Sequence, residues 1–262
     1  MRLDTELVRR GLARSREQAA DLIAAGRVAV AGQTAAKAAT QVGRDSAITI
    51  AETARGRDYA SRGGHKLEGA LAAFADLAVA GRRCLDAGAS AGGFTDVLLQ
   101  AGAAQVVAVD VGYGQLAWAL RNDPRVTVLD RVNVRQLTPE QVAPAPELVT
   151  ADLSFISLAL VLPALAASAA PDADFVLLVK PQFEVGKGQV GAGGVVRDPA
   201  LRAAAVASVA DAAMEAGLGV RGVVASPLPG PSGNVEYFLW LRRGAPPLDQ
   251  ADVEQAISEG PQ

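Results

Sequence analysis

Four polar side chains stand where the surrounding pattern is apolar or comes to an end: Lys66, Asp152, Lys180 and Glu236. Lys66 opens a helix-like stretch after Ser61-Arg-Gly-Gly-His65, and Asp152 ends the run Leu148-Val-Thr-Ala-Asp152. Lys180 ends Phe175-Val-Leu-Leu-Val-Lys180, and Glu236 lies near the start of Asn234-Val-Glu-Tyr-Phe238. Two amines and two carboxylates can move a proton or aim a weakly acidic hydroxyl. A lysine serves as a base only when burial or a second cation lowers its pKa. Lys66 can supply that second charge for Lys180, whereas Asp152 and Glu236 orient the amines and oppose the drop. Taken singly, each residue could equally be half of a structural ion pair.

A second group of residues points to a ligand. In Leu85-Asp-Ala-Gly-Ala-Ser-Ala-Gly-Gly-Phe94, a strand ending at Arg83-Cys84-Leu85 passes into a helix from Phe94 to Ala101. Glycines between the two let the backbone approach a ligand, and the helix N-terminus offers unpaired N–H groups. Asp110 ends the next strand, Gln105-Val-Val-Ala-Val-Asp110, where nucleotide-binding α/β folds hold a ribose diol. These features predict an adenosine-containing ligand held by Asp86, Gly88, Ala89, Ser90, Gly92, Gly93, Phe94, Asp110 and Asp152.

Three alternatives are weaker. A dinucleotide loop needs G-x-G-x-x-G, but the glycines here are Gly88, Gly92 and Gly93. The preceding Asp86 would repel a pyrophosphate, yet suits the cationic amino group of S-adenosylmethionine. No phosphate-binding G-x-x-x-x-G-K-[ST] string occurs. Gly88-Ala-Ser90-Ala-Gly92 matches a hydrolase nucleophile elbow, but that fold needs a histidine after the serine. The one histidine, His65, precedes it. With one histidine and one cysteine (Cys84), a transition-metal cage and a disulfide framework are both disfavoured. No basic region followed by an apolar stretch opens the chain, so the expected location is cytoplasmic.

The elements that must position these residues fall into two parts. The net charge of −3 hides an asymmetry: residues 1–66 carry 12 Lys and Arg against 7 Asp and Glu, residues 67–262 carry 13 against 21. A basic front on an acidic body suggests a polyanion-binding module. In the front part, a short helix from Thr5 to Arg10 stops at Gly11, and a second is capped by Ser15 and ended by Gly26. Residues 27–30 and 47–50 alternate like strands. Arg2-Leu-Asp4, Ser15-Arg16, Gly26 and Val28-x-Val30-x-Gly32 resemble the alpha-L RNA-binding motif of the ribosomal protein S-four type. The resemblance implies docking on structured RNA, and Arg2, Arg9, Arg10, Arg14, Arg16 and Arg27 are the candidate contacts. One departure is Ala31, where the turn usually carries asparagine.

The body reads as alternating strands (82–86, 105–110, 126–129, 147–151, 174–179, 218–225 and 235–241) and helices (65–76, 93–101, 116–121, 156–169 and 198–216). This order predicts an α/β fold with a mostly parallel sheet and helices on both faces. Seven strands with the ligand loop after the first suit a Rossmann-like class I methyltransferase. Residues 181–197 read as a long loop without periodicity, and Leu248 to about Ser258 as a further helix. The expected organisation is a small α+β RNA-binding domain at 1–60, a linker at 61–66 and the methyltransferase domain over 64–262.

Lys66, Asp152, Lys180 and Glu236, in that order, resemble the tetrad of ribose 2′-O-methyltransferases. With the front module and the strings Lys180-Pro-Gln-Phe-Glu-Val-Gly186 and Ser226-Pro-Leu-Pro-Gly-Pro-Ser-Gly-Asn-Val-Glu236, the chain resembles the TlyA (haemolysin-A-like) family throughout. That resemblance implies S-adenosylmethionine-dependent methylation of cytidine riboses in ribosomal RNA, with sensitivity to capreomycin-like antibiotics. It also implies catalytic roles for the four residues and ribosomal subunits as partners. The tail ending Ala256-Ile-Ser-Glu-Gly260 matches members acting on both subunits, whereas their N-terminal extension is absent before Arg2.

Two readings from other classes compete. A membrane-active cytolysin would use Leu153–Pro171, 19 residues without a charge and near the length of a span. Its serines, its proline and its place between two strands favour a buried helix instead. A non-catalytic RNA-binding protein is disfavoured by the complete tetrad and ligand loop.

Overall fold

A computed structural model describes residues 1–260 apart from 14, 15, 25, 44, 51–58 and 231. Two compact units are present, Met1–Ser61 and Arg62–Gln262.

In the first unit, α1 (Leu3–Arg9) and α2 (Arg16–Ala24) accompany an antiparallel sheet in the order β2 (Gln33–Thr34), β1 (Val28–Val30), β3 (Ile48–Ile50). Leu3, Leu7, Ala19, Leu22, Ile23 and Val28 form its core. α1 starts two residues before the expected Thr5. The expected cap Ser15 and the candidate contact Arg14 lie outside the described residues. β2 is too short and too exposed to carry an alternation in sequence. The turn joining it to β1 places both Ala31 (φ 49°) and Gly32 (φ 80°) in the left-handed region. That is the mirror-type hairpin turn that asparagine tolerates better than alanine.

In the second unit, α3 (Gly63–Ala73) leads into a seven-stranded sheet. Its strands are β4 (Arg83–Ala87), β5 (Gln105–Asp110), β6 (Val126–Asp130), β7 (Leu148–Ala151), β8 (Asp174–Val179), β9 (Leu218–Ala225) and β10 (Tyr237–Arg243). They lie in the order β6-β5-β4-β7-β8-β10-β9. β4 to β8 pair in parallel, while β10 runs antiparallel to both β8 and β9. The remaining helices are α4 (Gly93–Gln100), α5 (Trp118–Arg121), α6 (Leu162–Ser168), α7 (Pro181–Glu184), α8 (Pro199–Glu215) and α9 (Gln250–Glu259).

Both sheet faces are covered, as the period-two alternation of β10 illustrates. Tyr237, Leu239 and Leu241 join the core with α8 and α9 residues such as Val206, Val209 and Val253. Phe238 and Trp240 point the other way, 6.0 Å from Phe94 of α4 and 5.5 Å from Phe74 beside α3. Buried aromatics on both faces fix the sheet between two helical layers.

Three expectations are corrected. Gly63 and Gly64, read as part of the linker 61–66, already belong to α3, which begins two residues before the expected helix 65–76. The helix expected over 156–169 is interrupted: a single 3-10 turn at Leu158–Leu160 precedes α6. Ser157 caps that turn through the Ala159 N–H, and Pro163, lacking an N–H, sits in the first turn of α6. The uncharged run is thereby split, and among the described residues no helix is long and apolar enough to cross a membrane. Within 181–197, read as loop, lie α7 and two single 3-10 turns.

Candidate active site

The C-terminal ends of the parallel strands build the site, as expected for an open α/β sheet. Asp152 follows β7 and Lys180 follows β8, strands paired in parallel with Ala151 opposite Leu177. Because β10 is antiparallel to β8, its beginning lies at that same edge. Tyr237 pairs with Val179, so one step further brings Glu236 level with Lys180. An all-parallel sheet would have put the start of this strand at the opposite edge.

The four residues form two ion pairs. Lys180 Nζ lies 2.5 Å from Asp152 Oδ1, and it donates to Ser154 Oγ at 3.0 Å. Lys66, carried by α3, donates to Glu236 Oε2 at 2.5 Å, with both side chains almost fully enclosed. Glu236 Oε1 is buried and has no hydrogen-bond partner among the described residues. It remains an acceptor for a further group.

The glycine-rich loop lies beside them. A Cβ at Gly88 (φ 86°) would stand 2.5 Å from the Asp152 carbonyl oxygen, and one at Gly92 (φ 99°) 2.3 Å from Leu120 Cδ1. The loop is thus wedged on both sides, and no larger residue fits. Asp110 ties it to β5: its carboxylate accepts from the Ser90 N–H at 2.8 Å and the Gly112 N–H at 2.6 Å.

Gly88, Ser90, Asp110 and Asp152 all line a cavity of about 440 Å³. Val111, Val132, Val134 and Ile156 make its apolar walls. A ring system fits apolar walls, a diol fits Asp110, and a cation fits the Asp152 side. The donor set therefore suits S-adenosylmethionine. Ala89, Gly92, Gly93 and Phe94 shape the loop and the start of α4 without lining the cavity.

Asp86, also expected as a ligand contact, is turned away from the cavity. Its side chain is fully buried, off the cavity wall, and accepts from Thr95 Oγ1 at 2.6 Å and Thr150 Oγ1 at 3.5 Å. Burial pushes its carboxyl up to about 7; the Thr95 hydrogen bond opposes this and the charge of Asp152 adds to it. A raised folded-state pKa favours the protonated form. Asp86 therefore contributes its full stability below the ordinary carboxylate range and loses it as pH rises through about 7. In cofactor-free protein, Asp86→Asn is expected to flatten the fall of the melting temperature between pH 5 and 8. Parallel thermal-melt series check this, and an unchanged slope would show that Asp86 ionises freely.

Three residues at the site carried no readable signal. Ser154 enters through its bond to Lys180. Phe155 is 90% exposed, adopts φ 64° and sits 5.1 Å from the Phe183 ring. Glu184 of α7 accepts from Ser157 Oγ at 2.5 Å and from the Leu158 N–H at 2.9 Å, pinning the loop that carries Ser154 and Phe155. Burial raises the Glu184 carboxyl above its ordinary value.

In the first unit, the candidate arginines surround two enclosed carboxylates. Arg2 grips Asp4 with two bonds of 3.0 and 2.9 Å, and Arg16 reaches the same group at 3.1 Å. Arg9 and Arg10 both hold Glu6, and Arg10 also donates to the Ser46 carbonyl at 2.7 Å. The hydrogen bond from Arg2 keeps Asp4, and that from Arg9 keeps Glu6, well below the ordinary carboxylate range. Arg2, Arg9 and Arg16 nevertheless remain 46%, 48% and 63% exposed, leaving guanidinium edges available. Arg27 is half-buried at the entry to β1.

Among the described residues, no group of histidine, cysteine and acidic side chains is placed to hold a metal.

Residues 59–243 match the FtsJ-like methyltransferase family and residues 1–48 the S4 domain. The chain is 65% identical to a 16S/23S rRNA (cytidine-2′-O)-methyltransferase TlyA from Mycobacterium tuberculosis, covering 99% of this chain and 98% of that one. It is 37% identical to Hemolysin A of Brachyspira hyodysenteriae, over 91% of this chain and 98% of that protein. A solved structure from Streptococcus thermophilus, described as a candidate hemolysin, superposes with a TM-score of 0.77 at 38% identity, covering 99% of this chain and 96% of that one. The chain therefore belongs to the TlyA family, whose FtsJ-like, S-adenosylmethionine-dependent methyltransferase domain follows an S4 domain.

Proposed function

We propose that this chain methylates the 2′-hydroxyl of cytidine riboses in ribosomal RNA of both subunits, acting in the cytoplasm. The observation that carries the reading is the Lys180–Asp152 pair standing at the rim of a cavity suited to S-adenosylmethionine. Full-length similarity to a protein named for this reaction supports it. The alternative, a membrane-active cytolysin, draws support from the names of three similar proteins.

S-adenosylmethionine, when bound, supplies a methyl group already activated on a sulfonium centre. The protein must deliver a weakly acidic hydroxyl to it in line and keep water out. Lys180 donates one N–H to Ser154 and is paired by charge with Asp152, which leaves an N–H to meet the ribose 2′-oxygen. Asp152 fixes the amine from one side. Glu236, held by Lys66, leaves Oε1 as the acceptor that orients or takes the hydroxyl proton. Phe155, an exposed ring in a strained backbone at the cavity wall, offers a stacking face for the base of the nucleotide turned out of its helix. Asp110 reads the cofactor's ribose. Asp110→Ala should weaken S-adenosylmethionine binding by about 1–3 kcal/mol, measurable by calorimetry. Unchanged affinity would remove Asp110 from the cofactor site.

The S4 domain supplies RNA affinity through its exposed arginines. Arg16→Ala should raise the RNA dissociation constant and flatten its salt dependence, because fewer counterions are released. Cofactor affinity should stay constant. Normal RNA binding across a salt titration would reduce this arginine to a structural partner of Asp4.

The deciding experiment incubates the protein with purified small and large ribosomal subunits and labelled S-adenosylmethionine. Label in RNA, at a cytidine whose 3′ linkage resists alkali, is the expected result. Label on a base, or none on either subunit, would overturn the proposal.

A further inference from the structure

The connection between β5 and α5 is unusual for what it exposes. Val111 is 72%, Tyr113 68% and Trp118 80% accessible, all within eight residues. The chain has only two tryptophans, and the other, Trp240, is 6% exposed in the core. Large apolar side chains left in water so close together mark an interaction surface. Ordered neighbours hold this segment. Leu116 and Leu120 pack against Gly92, the Ala117 N–H bonds the Ala91 carbonyl at 3.1 Å, and Gly112 accepts from the Arg131 N–H at 2.9 Å. The exposed rings are therefore presented from a fixed backbone.

The charge beside them is the reverse of that on the rest of the domain. Residues 67–262 hold 13 Lys and Arg against 21 Asp and Glu, yet residues 111–135 hold four arginines against two aspartates. Arg121 is tied to Asp130 and Arg125 to Asp123, whereas Arg131 and Arg135 are exposed and have no acidic partner among the described residues. The Arg131 guanidinium lies over the Tyr113 ring, 4.3 Å from its centroid. An aromatic ring paired with a stacked guanidinium beside a free arginine is complementary to an unpaired nucleobase and its phosphates. A purely apolar partner would leave both cations unpaired.

We infer that Tyr113, Trp118 and Arg131, with Arg135 beside them, form a second RNA-binding surface on the methyltransferase domain, stacking unpaired bases that flank the modified nucleotide. This rests on the reading of the chain as an RNA methyltransferase. It places part of substrate recognition in the catalytic domain, independently of the S4 arginines. Val111 and Gln115 of the same segment line the cofactor cavity, so the surface borders the site of transfer.

The test uses the full chain with Trp118→Ala, Tyr113→Ala and Arg131→Ala, and with Trp118→Phe as the variant that keeps a stacking face. The alanine variants should each weaken binding to purified ribosomal subunits roughly 5- to 100-fold, the loss typical of one base-stacking side chain. Trp118→Phe should recover most of that loss. Calorimetric affinity for S-adenosylmethionine and the melting temperature should not move, because these side chains are exposed. Binding is read by filter retention, without methyl transfer, so failure of the assigned reaction in wild type would be seen separately. Unaltered RNA affinity would overturn the inference. So would a fall in cofactor affinity alone, which would make the segment a lid on the cavity. A wild-type dimer that becomes monomeric on Trp118→Ala would also overturn it, since the surface would then belong to a second copy.

Discussion

Replacing Lys180 by arginine is expected to lower the single-turnover rate of methyl transfer by roughly 10²–10⁴, the range of a lost general base or positioning group. Lys180 is 8% exposed, at the end of a strand whose every residue is buried, and its amine stands between Asp152 and Ser154. Arginine keeps the charge but spreads it over a planar fork that cannot aim a single N–H at the 2′-oxygen as the amine does. Lys180→Met removes charge and donor together and should be at least as damaging. RNA affinity should be unaffected in both. Cofactor affinity is the control to watch, because Asp152 lines the cavity and loses its partner. Near-normal single-turnover rates for the arginine variant would show that Lys180 acts only as a fixed positive charge.

The second large effect is on stability. Lys66→Met should destabilise the methyltransferase domain by about 3–5 kcal/mol, the usual cost of breaking a buried ion pair from one side. The cost falls on Glu236, which is 1% exposed and would keep a charge with no counter-ion. Combining Lys66→Met with Glu236→Met removes both charges and should restore most of the loss in denaturant unfolding. Turnover separates structure from chemistry: the double variant should fold well and remain inactive. A double variant that is both stable and active would show that the pair only holds α3 to the sheet, and the tetrad would shrink to Lys180 and Asp152.

Much of this was legible in the sequence, for physical reasons that differ by residue. The strands of the body are mostly apolar runs bounded by polar residues, so their positions read to within one residue, except β10, which begins and ends two residues later than expected. The rule that ligands collect at the C-terminal strand ends then placed Asp152 and Lys180. What failed was whatever depended on tertiary contact. Asp86 beside a glycine loop reads as facing a ligand, but β4 is buried from Cys84 to Ala87 and turns the carboxylate inward to Thr95 and Thr150. The alanine-rich run after Phe155 has helical periodicity throughout, yet the Ser157 cap and Pro163 divide it. Phe155 and Glu184 could not be found at all, because one owes its position to a backbone angle and the other to partners 26 and 27 residues away. In the front unit the arginines read as candidate RNA contacts, and nothing in the sequence shows that Asp4 and Glu6, each turned inward, anchor four of them.

The reversed direction of β10 also sets an order in time. Every residue lining the cofactor cavity lies at or before Val161, so the lining residues have all been made before Glu236 is. Glu236 arrives last, and its bond to Lys66 closes a span of 170 residues. Closing so long a span is slow compared with local contacts. Competence for transfer would begin only when the final strand slides in against the grain of the sheet.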